Sequence, residues 1–541
     1  MNRIILGIVF LSLSGVYSFA QDTTKKQSVE ITSAFKPVLK NAVKLKFNAT
    51  PPAPDNTNPN LNYNIPIQNL YFNLQPVSIK PLALQIDSAG EAHNSNYIKA
   101  GFGSNSTPLI DAGFSFGDGK KTNFTVLASH LSQKGTLRAQ KFSNTALSAH
   151  LNTVVKKIEV YGKAAYQQQT YYLYGADPST VNSKLDSLKK PYQTVNLRAG
   201  LRNAAISPYG VSYNPDLNIN VFNDSRSSET NAELNVPVEV RFGSSFGSLL
   251  RVNADLTTFK PADSAKAYSN NVFFLNAAAF FKTSKLYIKA GVRPTWDNAK
   301  LNVLPDVLVD FHLQEKKIIL TAGWSGYVRK NTYQYLVSQN PWINQPGTQF
   351  NTRITELYGG FKGTLFNSLN YRAQTGYLEY LNLPLFSNHL KPSVFTVLNE
   401  GKLQGLHTQG ELGFVLQDKF TASAKADIYS FFGQQNYSNA YHVIPVQLSA
   451  SLRWQPIKRI IVSGDLFAWQ GALYNTTTVT NRLPSVFDLN AGLEFKAHKY
   501  VSVWAQFNNV FNNTYERWRN YEALGFNFVA GIRLTFDQKQ Q

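Results

Sequence analysis

Apolar and polar side chains alternate strictly along residues 526–536 (FNFVAGIRLTF). Every second position, from Phe526 to Phe536, carries an apolar side chain, and small or polar side chains, including Arg533, stand between them. A period of two predicts a β-strand, and this segment is long enough to cross a bilayer at a tilt. One continuous apolar face opposite a small or polar face is typical of a membrane-spanning strand in a closed barrel.

The same alternation recurs in hairpins from about residue 95 onward. Alternating residues 487–496 and 501–507 flank a short turn at 497–499, and the pattern repeats around the turns at 455–459 and 315–317. Counting such segments predicts roughly twenty-two antiparallel strands. If the C-terminus is periplasmic, all the short turns fall on the periplasmic side. The long segments then fall outside, near residues 171–190, 329–351, 381–402, 431–444, 470–484 and 508–525.

This pattern predicts an all-β fold, a large antiparallel transmembrane β-barrel. Closure follows physically, because the bilayer core offers no hydrogen-bond partner to an open sheet edge. A soluble β-helix or propeller is the alternative, but it needs a fixed short repeat, which the sequence lacks. Mean hydropathy is −0.24, and after residue 20 no run of eighteen or more apolar residues predicts a spanning helix.

Two segments precede the predicted barrel. Residues 1–20 carry one charge, Arg3, an apolar stretch at 4–13 and Ser18-Phe19-Ala20 before Gln21, which predicts a secretory signal peptide. Residues 21–94 are rich in proline, which predicts an extended periplasmic or lumenal segment. It enters the lumen as a plug or forms a disordered periplasmic leader, and both readings stay open. The predicted barrel occupies residues 95–541.

Composition limits the function classes. The chain has no Cys, which excludes disulfides, thiolate metal sites and a lipid-modified cysteine. The formal net charge of +20 favours anionic counterparts, and export argues against nucleic acid. We expect contact with outer-membrane lipid or lipopolysaccharide. The eight His show no metal-binding spacing, so neither metal nor cofactor is expected. Nothing places a nucleophile beside a base, so we expect no enzyme activity.

Charged positions on the polar faces of the strands are the candidate functional residues, because lumen-lining side chains set the selectivity of a barrel. The alternative is that mixed charges on neighbouring strands only satisfy one another. The candidates are Arg198, Arg202, Arg241, Arg251, Lys289, Arg293, Asp306, Asp310, Lys425, Asp427, Arg453, Asp465, Asp488, Glu494 and Arg533. The aromatic-rich stretch 331–345 adds Tyr333, Tyr335 and Trp342 as candidate outer-loop contacts, with packing of a lid as the alternative.

The C-terminal sequence FNNVFNNTYERWRNYEALGFNFVAGIRLTF resembles the end of TonB-dependent receptors of Gram-negative outer membranes. The shared features are paired asparagines from Asn508 to Asn513, then Tyr515 and Trp518, then Gly525 and a closing aromatic strand. The resemblance implies a barrel in the cell outer membrane and a periplasmic energy-coupling partner, toward which residues 28–35 (SVEITSAF) show a weak match. The large plug domain of that family is missing, so the chain resembles a plug-less relative.

Two functions follow as hypotheses. In the first, the barrel binds or transports a solute, whose identity the sequence does not give, across the outer membrane, with a separate partner as plug. In the second, the barrel is a non-transporting structural or docking component of an outer-membrane assembly. The two differ in whether a water-filled path exists, and fully paired lumen charges would favour the second.

Overall fold

A computed structural model describes residues 95–118, 121–175, 185–204, 207, 209–262, 266–314, 316–347, 349–388, 393–416, 419–476 and 479–537. The signal peptide and the Pro-rich segment expected over residues 1–94 lie outside the described residues.

The described ranges form 27 strands, one α-helix and one short 3-10 turn at Leu185–Leu188. The helix, α1, is Tyr333–Gln339. The strands are β1 (Ser95–Gly103), β2 (Thr107–Gly117), β3 (Thr122–Lys134), β4 (Lys141–Val155), β5 (Ile158–Tyr172), β6 (Lys189–Asn203), β7 (Val211–Tyr213), β8 (Asp216–Asn223), β9 (Ser228–Phe242), β10 (Phe246–Lys260), β11 (Tyr268–Lys282), β12 (Leu286–Asp297), β13 (Lys300–Gln314), β14 (Ile318–Arg329), β15 (Thr352–Leu365), β16 (Leu369–Ser387), β17 (Thr396–Leu416), β18 (Phe420–Phe432), β19 (Val446–Ile457), β20 (Ile460–Trp469), β21 (Leu473–Asn475), β22 (Thr480–Arg482), β23 (Val486–His498), β24 (Val501–Asn508), β25 (Glu516–Trp518), β26 (Tyr521–Glu522) and β27 (Asn527–Asp537).

The sheet closes on itself because β1 pairs antiparallel with both β2 and β27. Tyr97 stands opposite Thr535 and Gly101 opposite Gly531 in the closing register. Strands β7 and β8 both pair with β9, so together they fill one position around the ring. The described chain is therefore a closed 22-strand antiparallel barrel, which confirms the predicted fold class and strand count. The two short pairs β21–β22 and β25–β26 lie outside this sheet.

Alternate side chains face opposite sides of the barrel wall. On β27, Phe528, Ile532 and Phe536 are 43%, 52% and 44% exposed on the outer face, whereas Asn527 is 1% exposed on the inner face. Aromatic pairs also face outward beside the short turns, as Phe246 and Phe281 do with ring centroids 4.9 Å apart. Apolar side chains with interfacial aromatics are what a lipid-facing wall requires. Among the described residues, no helix is long and apolar enough to cross a membrane.

The two ends of the barrel differ in loop length. Tight connections such as 156–157, 243–245 and 366–368 lie at one end, where β27 also finishes. The long connections lie at the other end, as the sequence predicts, and those at 330–351 and 509–526 are among the longest. We call the second end the outer end, because short periplasmic turns and long extracellular loops are the rule in bacterial barrels.

Candidate functional site

The inner wall of the barrel is lined by ion pairs, several of which join neighbouring strands. Lys289 Nζ lies 2.6 Å from Asp306 Oδ1, joining β12 to β13, and Arg198 Nε lies 3.0 Å from Asp216 Oδ2, joining β6 to β8. Lys362 Nζ lies 2.8 Å from Asp310 Oδ2. Each carboxylate is less exposed than its cationic partner. The charges are thus satisfied along the wall.

Most other predicted lumen residues follow the same rule. Three more arginines pair with glutamates: Arg202 with Glu159, Arg241 with Glu239 at 2.7 Å, and Arg533 with Glu494 at 3.6 Å. Lys425 lies 2.8 Å from Asp427, and Asp465 accepts a hydrogen bond from Ser451.

Four predicted lumen residues depart from this pattern. Arg251 and Arg453 are exposed on the inner face and form no ion pair with any described residue. Arg293 has no carboxylate partner, and its Nη1 donates to the Gly326 carbonyl at 2.9 Å. Asp488 lies fully buried near the outer end of β23, where its Oδ1 accepts the backbone N–H of Leu489. It therefore fixes the backbone there instead of lining an open lumen.

A histidine that the sequence analysis did not single out lies in the middle of the charged wall. His407 Nδ1 is 3.0 Å from Glu356 Oε1, and its Nε2 is 3.3 Å from Asp427 Oδ1. The imidazole also stacks on Tyr429, with ring centroids 4.4 Å apart and nearly parallel planes. These partners come from β15 and β18, on either side of the β16–β17 hairpin that carries His407. In the sequence, only the alternation of inward-facing and outward-facing residues along β17 indicates that His407 faces inward.

At the outer end, the loops meet in a buried cluster that we call the aromatic lid. Strand ends and loop residues within 135–140, 173–175, 330–347, 393–395 and 509–526 supply its side chains. Its members are Ala139, Tyr171, Tyr174, Tyr192, Phe222, Phe259, Tyr333, Leu336, Val337, Trp342, Ile343, Phe386, Phe395, Trp518 and Tyr521. Burial of so many large rings stabilises the lid, because each contributes about 1.5–3 kcal/mol relative to exposure.

Helix α1 is anchored to the barrel wall at its first turn. The two carboxylate oxygens of Glu229 accept the backbone N–H groups of Tyr333 at 2.6 Å and Gln334 at 3.0 Å. The Tyr333 hydroxyl donates to Asp224 Oδ2 at 2.7 Å. Burial alone would raise the pKa of Asp224, but hydrogen bonds from Tyr333 and Ser227 outweigh it and lower that pKa. A carboxylate satisfies N–H groups that a helix start leaves unpaired, and its charge complements the helix dipole.

The rest of loop 330–351 crosses to the opposite side of the lid. Trp342 stacks on Tyr521, and its indole N–H donates to the Tyr172 carbonyl at 3.0 Å. Ile343 forms a parallel bridge with Phe395. The Tyr192 hydroxyl donates to the Pro341 carbonyl at 2.7 Å. One loop therefore links the walls at β5–β6 to the loops that follow β16 and β24.

His442 locks another outer loop against the lid. Its Nδ1 lies 2.7 Å from the Phe386 carbonyl and therefore donates, and its ring stacks on Trp518 with centroids 5.4 Å apart. Burial, reinforced by the positive charge of Arg517, lowers the pKa of His442 to about 3. The imidazole is therefore neutral at ordinary pH.

The structure places the three predicted outer-loop residues within this assembly. Tyr333 is fully buried, and Trp342 is 2% exposed. Tyr335 is half-buried, with the Arg329 guanidinium 5.3 Å from the centre of its ring. Two of the three are members of the lid, and Tyr335 packs against it. A role in contacting a solute or partner remains a prediction.

Comparison with known proteins is informative at the level of structure alone. No family model matches the sequence, and no curated protein matches it significantly. The siderophore receptor PirA of Acinetobacter baumannii is 10% identical, with a TM-score of 0.62 over 82% of this chain and 80% of that one. A variant of the FrpB iron transporter of Neisseria meningitidis is 12% identical, with a TM-score of 0.62 over 83% of each chain. A ferric enterobactin receptor (PfeA) of Pseudomonas aeruginosa is 10% identical, with a TM-score of 0.60 over 82% and 81%.

The lipid-facing wall, the polar lumen and the outer-end loops define a large outer-membrane β-barrel. More particularly, the chain has the barrel fold of TonB-dependent siderophore receptors, as the resemblance at its C-terminus implies. This fold supports a location in an outer membrane.

Proposed function

We propose that this protein binds a polar solute in its lumen and moves it across the outer membrane, with the aromatic lid as the outer gate. One observation carries the proposal: the inner wall is charged, and its ion pairs run along the wall, within a strand or between nearby strands such as β12 and β13. Side chains paired along the wall do not fill a barrel this wide, and 22-stranded barrels are generally plugged transporters. The wall therefore faces water, a solute or a polar occupant.

In this proposal, the aromatic lid controls access to the lumen from outside. Entry from outside requires loop 330–351 to leave its contacts with Tyr521 and Phe395. Loops that close over a site on a rigid scaffold commonly control access to it. The Glu229 anchor fixes the start of α1 to the wall, so the proposed movement is confined to the part of the loop after this anchor.

The partners follow from the same reasoning. The structural neighbours include a siderophore receptor and an iron transporter, which supports solute uptake as the function here. A periplasmic energy-coupling protein and a separate plug are proposed partners, and the lipid-facing belt would contact lipid or lipopolysaccharide. Transporter and receptor neighbours also support a function other than catalysis.

A second candidate function is a non-transporting docking component of an outer-membrane assembly. Two features favour it. Most of the predicted lumen charges are paired, and several of the described outer loops share one buried core. On this reading the barrel presents a surface, and no solute passes through it.

Single-channel conductance in planar bilayers distinguishes the two functions. The samples are the full-length mature protein, a form lacking residues 22–90, and a Trp342→Ala variant of each. Trp454→Ala is the matched control, because Trp454 is 45% exposed on the lipid face. Solute passage predicts openings when the lid is weakened, with or without the N-terminal deletion. Closed barrels in all four samples would contradict transport and favour the docking function.

A further inference from the structure

We propose that the lumen wall between β10 and β12 holds an oxyanion site, in which Arg251 and Arg293 bind a carboxylate or phosphate group carried by a solute. This inference rests on the proposed solute-binding lumen and names the class of solute.

Arg251 is a lumen-facing cation whose charge has no counter-ion. It stands opposite Asn276 in the β10–β11 register, on the same face as the buried Asn253. Its side chain is exposed and forms no hydrogen bond or ion pair with the described residues. By contrast, Arg198 and Arg241 each have a carboxylate within 3.0 Å. Arg251 is therefore free to bind a group in the lumen.

Arg293 is held in place without being neutralised. Its Nη1 donates to the Gly326 carbonyl, and the guanidinium lies 5.6 Å from the ring centre of Phe274. Its Nε is buried and has no acceptor. The nearby Asp306 is already occupied, because Lys289 and Asn276 donate to its two oxygens. Arg293 is thus a positioned cation whose remaining N–H groups lack an acceptor.

The sheet register brings the two arginines to one place. Phe274 pairs with Thr295 and Ala277 with Val292, so Arg293 stands opposite Asn276, and Asn276 stands opposite Arg251. The two arginines therefore flank the same residue on three adjacent strands of the inner wall. Two like charges on a partly buried wall are unfavourable unless an anion lies between them. Guanidinium groups suit carboxylate and phosphate, because their N–H groups match the geometry of these anions.

Asn276, between the arginines, adds a second feature of the site. Its Nδ2 donates to Asp306 at 2.9 Å, while its Oδ1 is buried without a donor. An acceptor without a donor, beside two arginines without a carboxylate partner, fits an anion that also carries an O–H group, such as a hydroxycarboxylate or a singly protonated phosphate. A purely apolar solute would leave all three groups unsatisfied.

Equilibrium binding by calorimetry tests the site with the full-length mature protein in detergent at low ionic strength. The probes are inorganic phosphate and citrate, with glucose as the uncharged comparison. We expect saturable binding of at least one anion with a dissociation constant of about 1 mM or tighter. Arg251→Gln and Arg293→Gln should each weaken it about tenfold, as expected for the loss of one charge-assisted contact.

Arg453→Gln is the matched control, because Arg453 is also exposed and unpaired on the inner face but far along the wall, on β19. It should leave binding unchanged. Arg293→Lys keeps the charge if the glutamine variant fails to fold, and it should retain part of the affinity. Absence of saturable anion binding to the unaltered protein, or equal losses in Arg453→Gln and Arg251→Gln, would overturn the site.

The same measurements separate this inference from the proposed function. Anion binding without solute passage in bilayers would refute transport and leave the site standing. Passage of solutes by a protein that binds neither anion would refute the site alone.

Discussion

Trp342 and Tyr521 stack with their ring centroids 3.9 Å apart and their planes at 24°. The two rings belong to different outer loops, 330–351 and 509–526, and Tyr174 meets both of them edge-on. Stacked and edge-to-face rings add about 0.5–1.5 kcal/mol beyond the burial of their area. The outer loops that carry these three rings therefore pack together in one tertiary core and do not fold independently of one another.

Removing this stack should loosen the lid. We expect Trp342→Ala to lower the free energy of unfolding of the outer loops by about 3–5 kcal/mol, as for other large-to-small core substitutions. Hydrogen exchange of loop 330–351 and single-channel openings should both increase. Trp454→Ala, on the lipid face, should change neither. Unchanged exchange in Trp342→Ala would show that the stack does not hold the lid.

A disulfide across the aromatic lid should hold it closed. The chain has no native cysteine that could form a competing disulfide. Ile343 and Phe395 are bridge partners and fully buried, so Ile343→Cys with Phe395→Cys places two thiols side by side. Openings in bilayers should disappear on oxidation and return with a reductant. The single variant Ile343→Cys should not respond to redox conditions. Openings that persist in the oxidised double variant would place the gate elsewhere.

The anchor at the start of α1 should depend on the carboxylate of Glu229. Glu229→Gln leaves only one amide oxygen to accept the N–H groups of Tyr333 and Gln334. Because a buried donor then loses its partner, we expect a cost of about 1–3 kcal/mol, read as faster hydrogen exchange at residues 333–336. Glu239→Gln is the comparison, since Glu239 pairs with the exposed Arg241 away from the lid.

Lid stability should fall in acid because of His442. Its folded pKa of about 3 lies below the unfolded value of 6.5, so the unfolded state binds the proton more readily. The stabilisation is complete above pH 6.5 and is lost as the pH falls toward 3, by about 1.4 kcal/mol per pH unit. The protection factors of loop 433–445, which are corrected for the intrinsic pH dependence of amide exchange, should therefore fall between pH 7 and pH 5. His442→Asn, whose amide can still donate to Phe386, should remove this dependence, and an identical pH profile would contradict it.

Periodicity alone was enough to predict the barrel. Inward-facing residues such as Lys289 and Asp306 were identified because parity assigns each side chain to a face. Their pairing was not predictable, because it depends on the register between β12 and β13. His407 was missed for the same reason: its carboxylate partners lie on β15 and β18. The lid was the least predictable feature, since Trp342 and Tyr521 meet only after the barrel brings their loops together.

The pairing of β1 with β27 has a consequence for biogenesis. A chain that stops before residue 527 leaves one edge of β1 and one edge of β24 without hydrogen-bond partners, and lipid cannot supply them. A sheet that lacks β27 therefore has two unpaired edges, which promote aggregation until the last strand pairs with them. Closure of the barrel therefore requires the last strand, and removal of the fifteen residues 527–541 should abolish insertion into the membrane.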